Sequence, residues 1–313
     1  MAHAAGWPQG RLGRLVLAAA GFAFVAPAGL VALPVAALGL RRGTTGGWRT
    51  LWAGAFTGLA VVWLAWPGDL PGQTMRAAAL LATVVFVLLA DHTRWSVTHR
   101  ALVSALIALA GTALLYVVLG WSWTRLHWWV EHRTGFALRI AMSGFQWDVL
   151  AGETQARFSG TLDQIVRWTA NLFPAIGVLQ VMVGLGLATA LHGRLAVTPR
   201  GVAPAPTRDF RFSEHLGWML VLGLVGVLFL PPVPALRLVA WNLLAVGTAL
   251  FLARGWAVAA FLWVRAGAGR WVAALAALAI VFLSPVVLGV LLALGVLDAG
   301  LDLRRRATPP STE

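Results

Sequence analysis

The chain has 313 residues, of which 59% are hydrophobic and only 11% charged, and its mean hydropathy is +0.80. That balance excludes an ordinary soluble domain, in which roughly a quarter of residues are charged, and specifies an all-α, polytopic helical membrane protein. Cysteine and lysine are both absent and all 24 basic residues are arginine, which removes disulfides, zinc–thiolate sites, Schiff bases and a Walker-type phosphate lysine from consideration.

Eight apolar runs follow in order: Leu15–Leu40, Leu51–Trp66, Ala77–Ala90, Ala101–Gly120, Trp168–Leu191, Leu216–Leu230, Leu236–Val264 and Trp271–Leu297. About eight transmembrane segments are therefore expected within one integral membrane domain, residues 1–306, ahead of a disordered tail, 307–313. The net charge of +13 does not point to nucleic acid, because the arginines lie mainly in short gaps between apolar runs and form no contiguous basic face. The gaps at 41–50, 91–100, 193–214 and 265–270 each hold two to four arginines and alternate with arginine-poor or charge-balanced gaps. Cytoplasmic loops retain arginine, so these four gaps are expected on the cytoplasmic side of a bacterial inner membrane.

The two outer runs are too long for simple spans and contain proline: Pro27 and Pro34 in the first, Pro285 in the last. Short half-helices hinged at Pro27 or Pro285 would return each terminus to the cytoplasm, whereas a kinked, tilted single span would leave both outside. Arg11 and Arg14 precede the first run as in a signal peptide, but the run continues to Leu40 without a break.

Residues 121–165 form the sizeable extramembrane segment and carry Trp121, Trp123, Trp128, Trp129 and Trp147. Tryptophan favours the headgroup level, so one or two helices are expected at the outer interface, as an anchoring belt or as a lid over an external cavity. Within the segment, His127 and Glu131-His132 resemble a metalloprotease motif, but histidines five apart lie roughly 140° around a helix and do not share a metal. No metal site, cofactor or catalytic constellation is expected, and the protein reads as non-enzymatic.

Few polar side chains lie inside the apolar runs, and they are the candidate ligand-binding residues: Asn171, Gln180, Asn242 and Arg254. Each has a packing alternative. Asn171 lies at a span end, Gln180 sits among Gly177, Gly184 and Gly186 as close-packed helices require, and Asn242 suits an interhelical hydrogen bond. Arg254 either snorkels towards the cytoplasmic headgroups or pairs with Asp298 or Asp302.

The carboxy-terminal residues carry a resemblance. Asn242, then Arg254-Gly255, then Ser284-Pro285, then Gly295, Asp298, Asp302 and Arg304 in a Gly-x-x-Asp-x-x-x-Asp-x-Arg ending resemble the YybS-like family, domain of unknown function 2232. Arg254 stands where that family has glutamine. The opening, Pro27-Ala28-Gly29 with Leu33-Pro34 and Gly43, Gly46 and Gly47, is also similar. The resemblance implies a distant likeness to the substrate-binding S components of energy-coupling-factor transporters and to the scaffold protein MreD. It therefore implies a small-molecule transport subunit docking on a coupling subunit, or a scaffold for envelope and division machinery. Lipid bilayer and membrane-protein partners are expected either way, and nucleic acid is not.

Overall fold

A computed structural model describes residues 28–41, 46–93, 95–143, 152–195, 207–231, 233–267 and 283–307. Among them the regular structure is helical, in the order α1 (Ala28–Arg41), α2 (Gly46–Ala65), α3 (Leu70–His92), α4 (Val97–Val118), α5 (Trp123–Met142), α6 (Gly152–Asn171) and α7 (Phe173–Leu195). A 3-10 turn, Thr207–Asp209, then leads to α8 (Glu214–Phe229), α9 (Pro234–Arg265), α10 (Ser284–Leu301) and α11 (Leu303–Ala307). Five of these are long and apolar enough to cross a bilayer, within α3, α4, α7, α9 and α10, and three shorter apolar helices lie in α1, α2 and α8. These eight answer the eight apolar runs.

Local chemistry sets the helix ends. Asp69 caps α3 by accepting from the Gly72 amide at 3.1 Å, and Pro71 stands in the first turn, where its missing N–H costs nothing. The helix thus starts seven residues before the apolar run does. Ser122 caps α5 through the Arg125 amide at 3.2 Å. Proline opens α9 at Pro234 and stands in the first turn of α10 at Pro285, so Pro285 starts a helix and does not kink one. Pro34 does not break α1 either, which runs through it from Ala28 to Arg41. Pro27, Trp147, the loop at 196–206, the first part of the last run and the tail 308–313 lie outside the described residues.

The chain divides into two compact units. One contains α1 to α3, α4 as far as Leu115, and α7 from Gln180. Its core joins Ala37, Leu38, Phe86, Val87, Ala101 and Leu185, and the Arg100 guanidinium lies over the Phe86 ring at 5.6 Å. Arg76 holds the α2–α3 turn, donating to the carbonyls of Gly72, Trp63 and Trp66, while Trp63 Nε1 donates to the Arg76 carbonyl at 3.2 Å.

The second unit contains α5, α6, the start of α7, the 207–213 segment and α8 to α11. Helices α5 and α6 pack on each other, as do α8 and α9. The α8–α9 pair is antiparallel: Gly217 faces Phe251, Leu220 faces Gly247, Leu244 faces Gly223, and Ala240 faces Gly226. A methyl group at Gly247 would come within 2.7 Å of the Leu220 nitrogen, so these glycines let the backbones touch. Helices α9 and α10 instead run parallel. Phe251 meets Gly295, Arg254 meets Asp298, and Phe261 borders the same cleft as Asp302 and Arg305. The carboxyl ends of both helices therefore lie together, so that Arg265 and the final arginines share one end of the unit.

Candidate functional site

The closest approach of α9 and α10 is made by two glycines. A Cβ on Gly255 would collide with the Leu291 carbonyl, and one on Gly295 with the Phe251 carbonyl. This contact brings Arg254, next to Gly255, against Asp298, nearly one turn beyond Gly295.

Asp298 is wholly buried, and Arg254 and Arg304 are each 5% exposed. Arg254 Nε donates to Asp298 Oδ2 at 2.8 Å, and its NH2 donates to the Asp298 carbonyl at 2.9 Å. Arg304 donates to both carboxylate oxygens, from Nε to Oδ1 at 3.3 Å and from NH2 to Oδ2 at 2.8 Å. Its NH1 reaches back to the carbonyls of Arg208 and Phe210, both at 3.0 Å. Phe212 completes the site: the Arg254 guanidinium lies 5.4 Å from its ring, which packs edge-on against Phe251 at 5.2 Å. Charges withdrawn from water in apolar surroundings persist only when paired and hydrogen-bonded, and this cluster meets both conditions.

The chain turn that makes this possible is at Asp302, which adopts the left-handed conformation (φ 45°) and ends α10 with its amide on the Asp298 carbonyl at 3.1 Å. Aspartate tolerates that conformation better than most residues. The turn swings Arg304 back over Asp298. Asp302 itself accepts two bonds from Arg211, at 2.9 and 3.4 Å. The sequence offered Asp298 and Asp302 as alternative partners for Arg254; the pairing is with Asp298, and Arg211 takes Asp302. Arg254 does not snorkel. The roles of Arg211 and Phe212 were not anticipated, because nothing in a short polar loop marks the residue that will return to a helix end.

Asn242 has a different function. Pro174 has no N–H for the Ala170 carbonyl, so the helix is interrupted at Leu172 between α6 and α7. The Asn242 amide enters the gap: Nδ2 donates to the Asn171 carbonyl at 2.9 Å and Oδ1 accepts from the Ala175 amide at 2.8 Å. Those two groups would bond each other in a continuous helix, so the side chain bridges the missing rung. Nδ2 also donates to the Leu238 carbonyl at 2.9 Å. The Asn171 side chain contacts His127 Nε2 at 3.1 Å. The structure thus brings Asn171 and Asn242 together, and separately assembles Arg254, Gly255, Gly295, Asp298, Asp302 and Arg304. Pro285 is distant in sequence from both groups, and Gln180 is half-buried in α7, in the other unit.

Two open clefts border the second unit. One, of about 280 Å³, is lined by Gln164, Ile165, Trp168, Leu172 and neighbours on α6 and α7, and Trp168 packs edge-on against Trp241 at 5.3 Å. The other, of about 410 Å³, lies beside the charge cluster. Among the described residues no group of three or more histidine or acidic side chains is placed to hold a metal ion.

Apolar helices of bilayer length, small-residue crossings and a paired buried charge cluster define a multi-pass helical membrane protein. The chain belongs to the family described as "Predicted membrane protein (DUF2232)", whose model matches residues 15–299. No curated protein and no solved structure matches it.

Proposed function

We propose that this protein is a non-enzymatic scaffold of the bacterial inner membrane, similar in role to MreD, that holds partner proteins on its helix surfaces and does not enclose a solute. The observation that carries this reading is the engagement inside the protein of two polar side chains of α9, the half-buried Asn242 and the buried Arg254. The Asn242 amide is spent on three backbone partners, and Arg254 on the Asp298 side chain and carbonyl. A solute site needs polar groups that converge on a cavity, and these converge on the chain. Helical spans fit the inner membrane, since outer-membrane proteins are typically barrels. The arginine-rich gaps fit a cytoplasmic side at the Arg265 end.

A substrate-binding transport subunit is the second reading, and Gln180 favours it. Its side chain is half-buried in a membrane-length helix and makes no hydrogen bond among the described residues. Affinity purification from native membranes, followed by native mass spectrometry, separates the two readings. Envelope-assembly proteins and no stoichiometric small molecule are the expected result. Recovery of a coupling subunit with its ATPases, or of a bound solute lost in Gln180→Ala, would overturn the scaffold reading.

A further inference from the structure

The 410 Å³ cleft at the joined carboxyl ends of α9 and α10 is bordered by Asp209, Arg211, Phe261, Asp302, Arg304 and Arg305. We propose that it binds a phosphate oxyanion at the membrane surface, the headgroup phosphate of an acidic phospholipid. Charge is the first ground. Arg211, Arg304 and Arg305 border it against Asp209 and Asp302, and these aspartates and the neighbouring Asp298 each already have an arginine within 3.8 Å. Arg305 and Arg306 are exposed, with no side-chain partner among the described residues. Their charge is surplus, and a guanidinium presents donors in a fork that suits phosphate.

The second ground is rigidity. Arg304 is clamped between Asp298 and two backbone carbonyls, and the amides of Arg305 and Arg306 bond the Asp302 carbonyl at 3.0 and 3.2 Å. Arg304 and Arg305 are thus delivered to the cleft by backbone already held in place, with Arg306 next in the chain, which lowers the ordering cost of binding. Depth is the third. Two bilayer-length helices end here, and Leu262, Val264, Leu297 and Leu301 in their last turns are exposed. A ligand with a phosphate head and acyl chains matches both the charged cleft and the apolar flank, whereas free phosphate uses only the cleft.

The test is native mass spectrometry of the full-length chain in detergent, titrated with phosphatidylglycerol, phosphatidylcholine or inorganic phosphate. Wild type is expected to retain phosphatidylglycerol over phosphatidylcholine, and Arg305→Ala to lose about fivefold of that preference, in line with the contribution of one arginine at a charged membrane surface. Arg305→Ala/Arg306→Ala is expected to lose more. Arg139→Ala, at an exposed arginine on α5, is expected to lose none. Unchanged thermal unfolding in phosphatidylcholine shows that the variants fold. Displacement of the lipid by millimolar inorganic phosphate would keep the oxyanion chemistry and overturn the lipid as its source. Equal retention of both lipids by wild type, or an equal loss in Arg139→Ala, would overturn the site.

Discussion

Arg254 on α9 and Asp298 on α10 meet at 2.8 Å, with the carboxylate fully withdrawn from the surface. The pair joins two parallel helices at their glycine contact, and Arg304 closes on the same carboxylate from the other side of the Asp302 turn. One acidic side chain therefore holds three pieces of chain: α9, the end of α10 and, through Arg304, the 208–210 backbone.

Asp298→Leu is expected to be the most damaging change in the cluster. It strands two buried guanidiniums, and removing one partner of a buried pair costs about 3–5 kcal/mol. Arg254→Met leaves Asp298 its Arg304 partner and is expected to cost less. Thermal unfolding in a mild detergent should rank them in that order. If Arg254→Met melts lower than Asp298→Leu, Arg304 does not share the carboxylate as described.

The glycine contact makes a separate prediction. Gly255→Ala and Gly295→Ala would each drive a methyl group into a backbone carbonyl, so both should separate the helices and lower the melting temperature. Gly289, on the same helix as Gly295, faces open space. There alanine should be neutral or stabilising by about 0.5–1 kcal/mol, because glycine is the poorer helix former. Identical effects at Gly289 and Gly295 would argue against a close crossing.

Asn242→Leu should leave the amide of buried Ala175 unpaired at the α6–α7 interruption, at a cost of about 1–3 kcal/mol for a buried unsatisfied group, while the carbonyl of exposed Asn171 can turn to water. Faster amide exchange at Ala175 and Ile176 is the local signature to measure. Asn242→Asp keeps the acceptor for Ala175 and loses the donor to Asn171, so its exchange should fall between wild type and Asn242→Leu.

In the first unit, Arg76→Ala removes the donors to three carbonyls around the 66–69 turn. Hydrogen exchange should rise in the first turn of α3, from Leu70 to Thr74, while the Phe86 core further along the helix stays protected. Uniform loss of protection along α3 would show that Arg76 supports the whole unit and not the turn alone.

Much of this architecture could be read before folding. Composition and run length require helices in a bilayer, but Pro285, read from the sequence as a hinge or kink, stands in the first turn of α10. The Gly295–Arg304 ending marks residues that do gather in one place. The start of α3 was less visible, since Asp69 and Pro71 specify it from outside the apolar run. The split of the Trp168–Leu191 run at Leu172 was missed, although Pro174 signals it.

The sequence by itself determined the class of this protein, because the cost of exposing backbone polar groups to lipid depends on composition and length and not on which helix meets which. It also determined that any polar group in an apolar run must find a partner. Only the tertiary structure decided the partners. Arg254 had Asp298 and Asp302 equally within reach along the chain, and the choice followed from where Gly255 and Gly295 let two backbones touch. Asn242 became a bridge across a broken helix because α9 passes the gap that Pro174 opened. Burial, crossing point and the left-handed turn at Asp302 are relations between distant segments, and no local pattern encodes them.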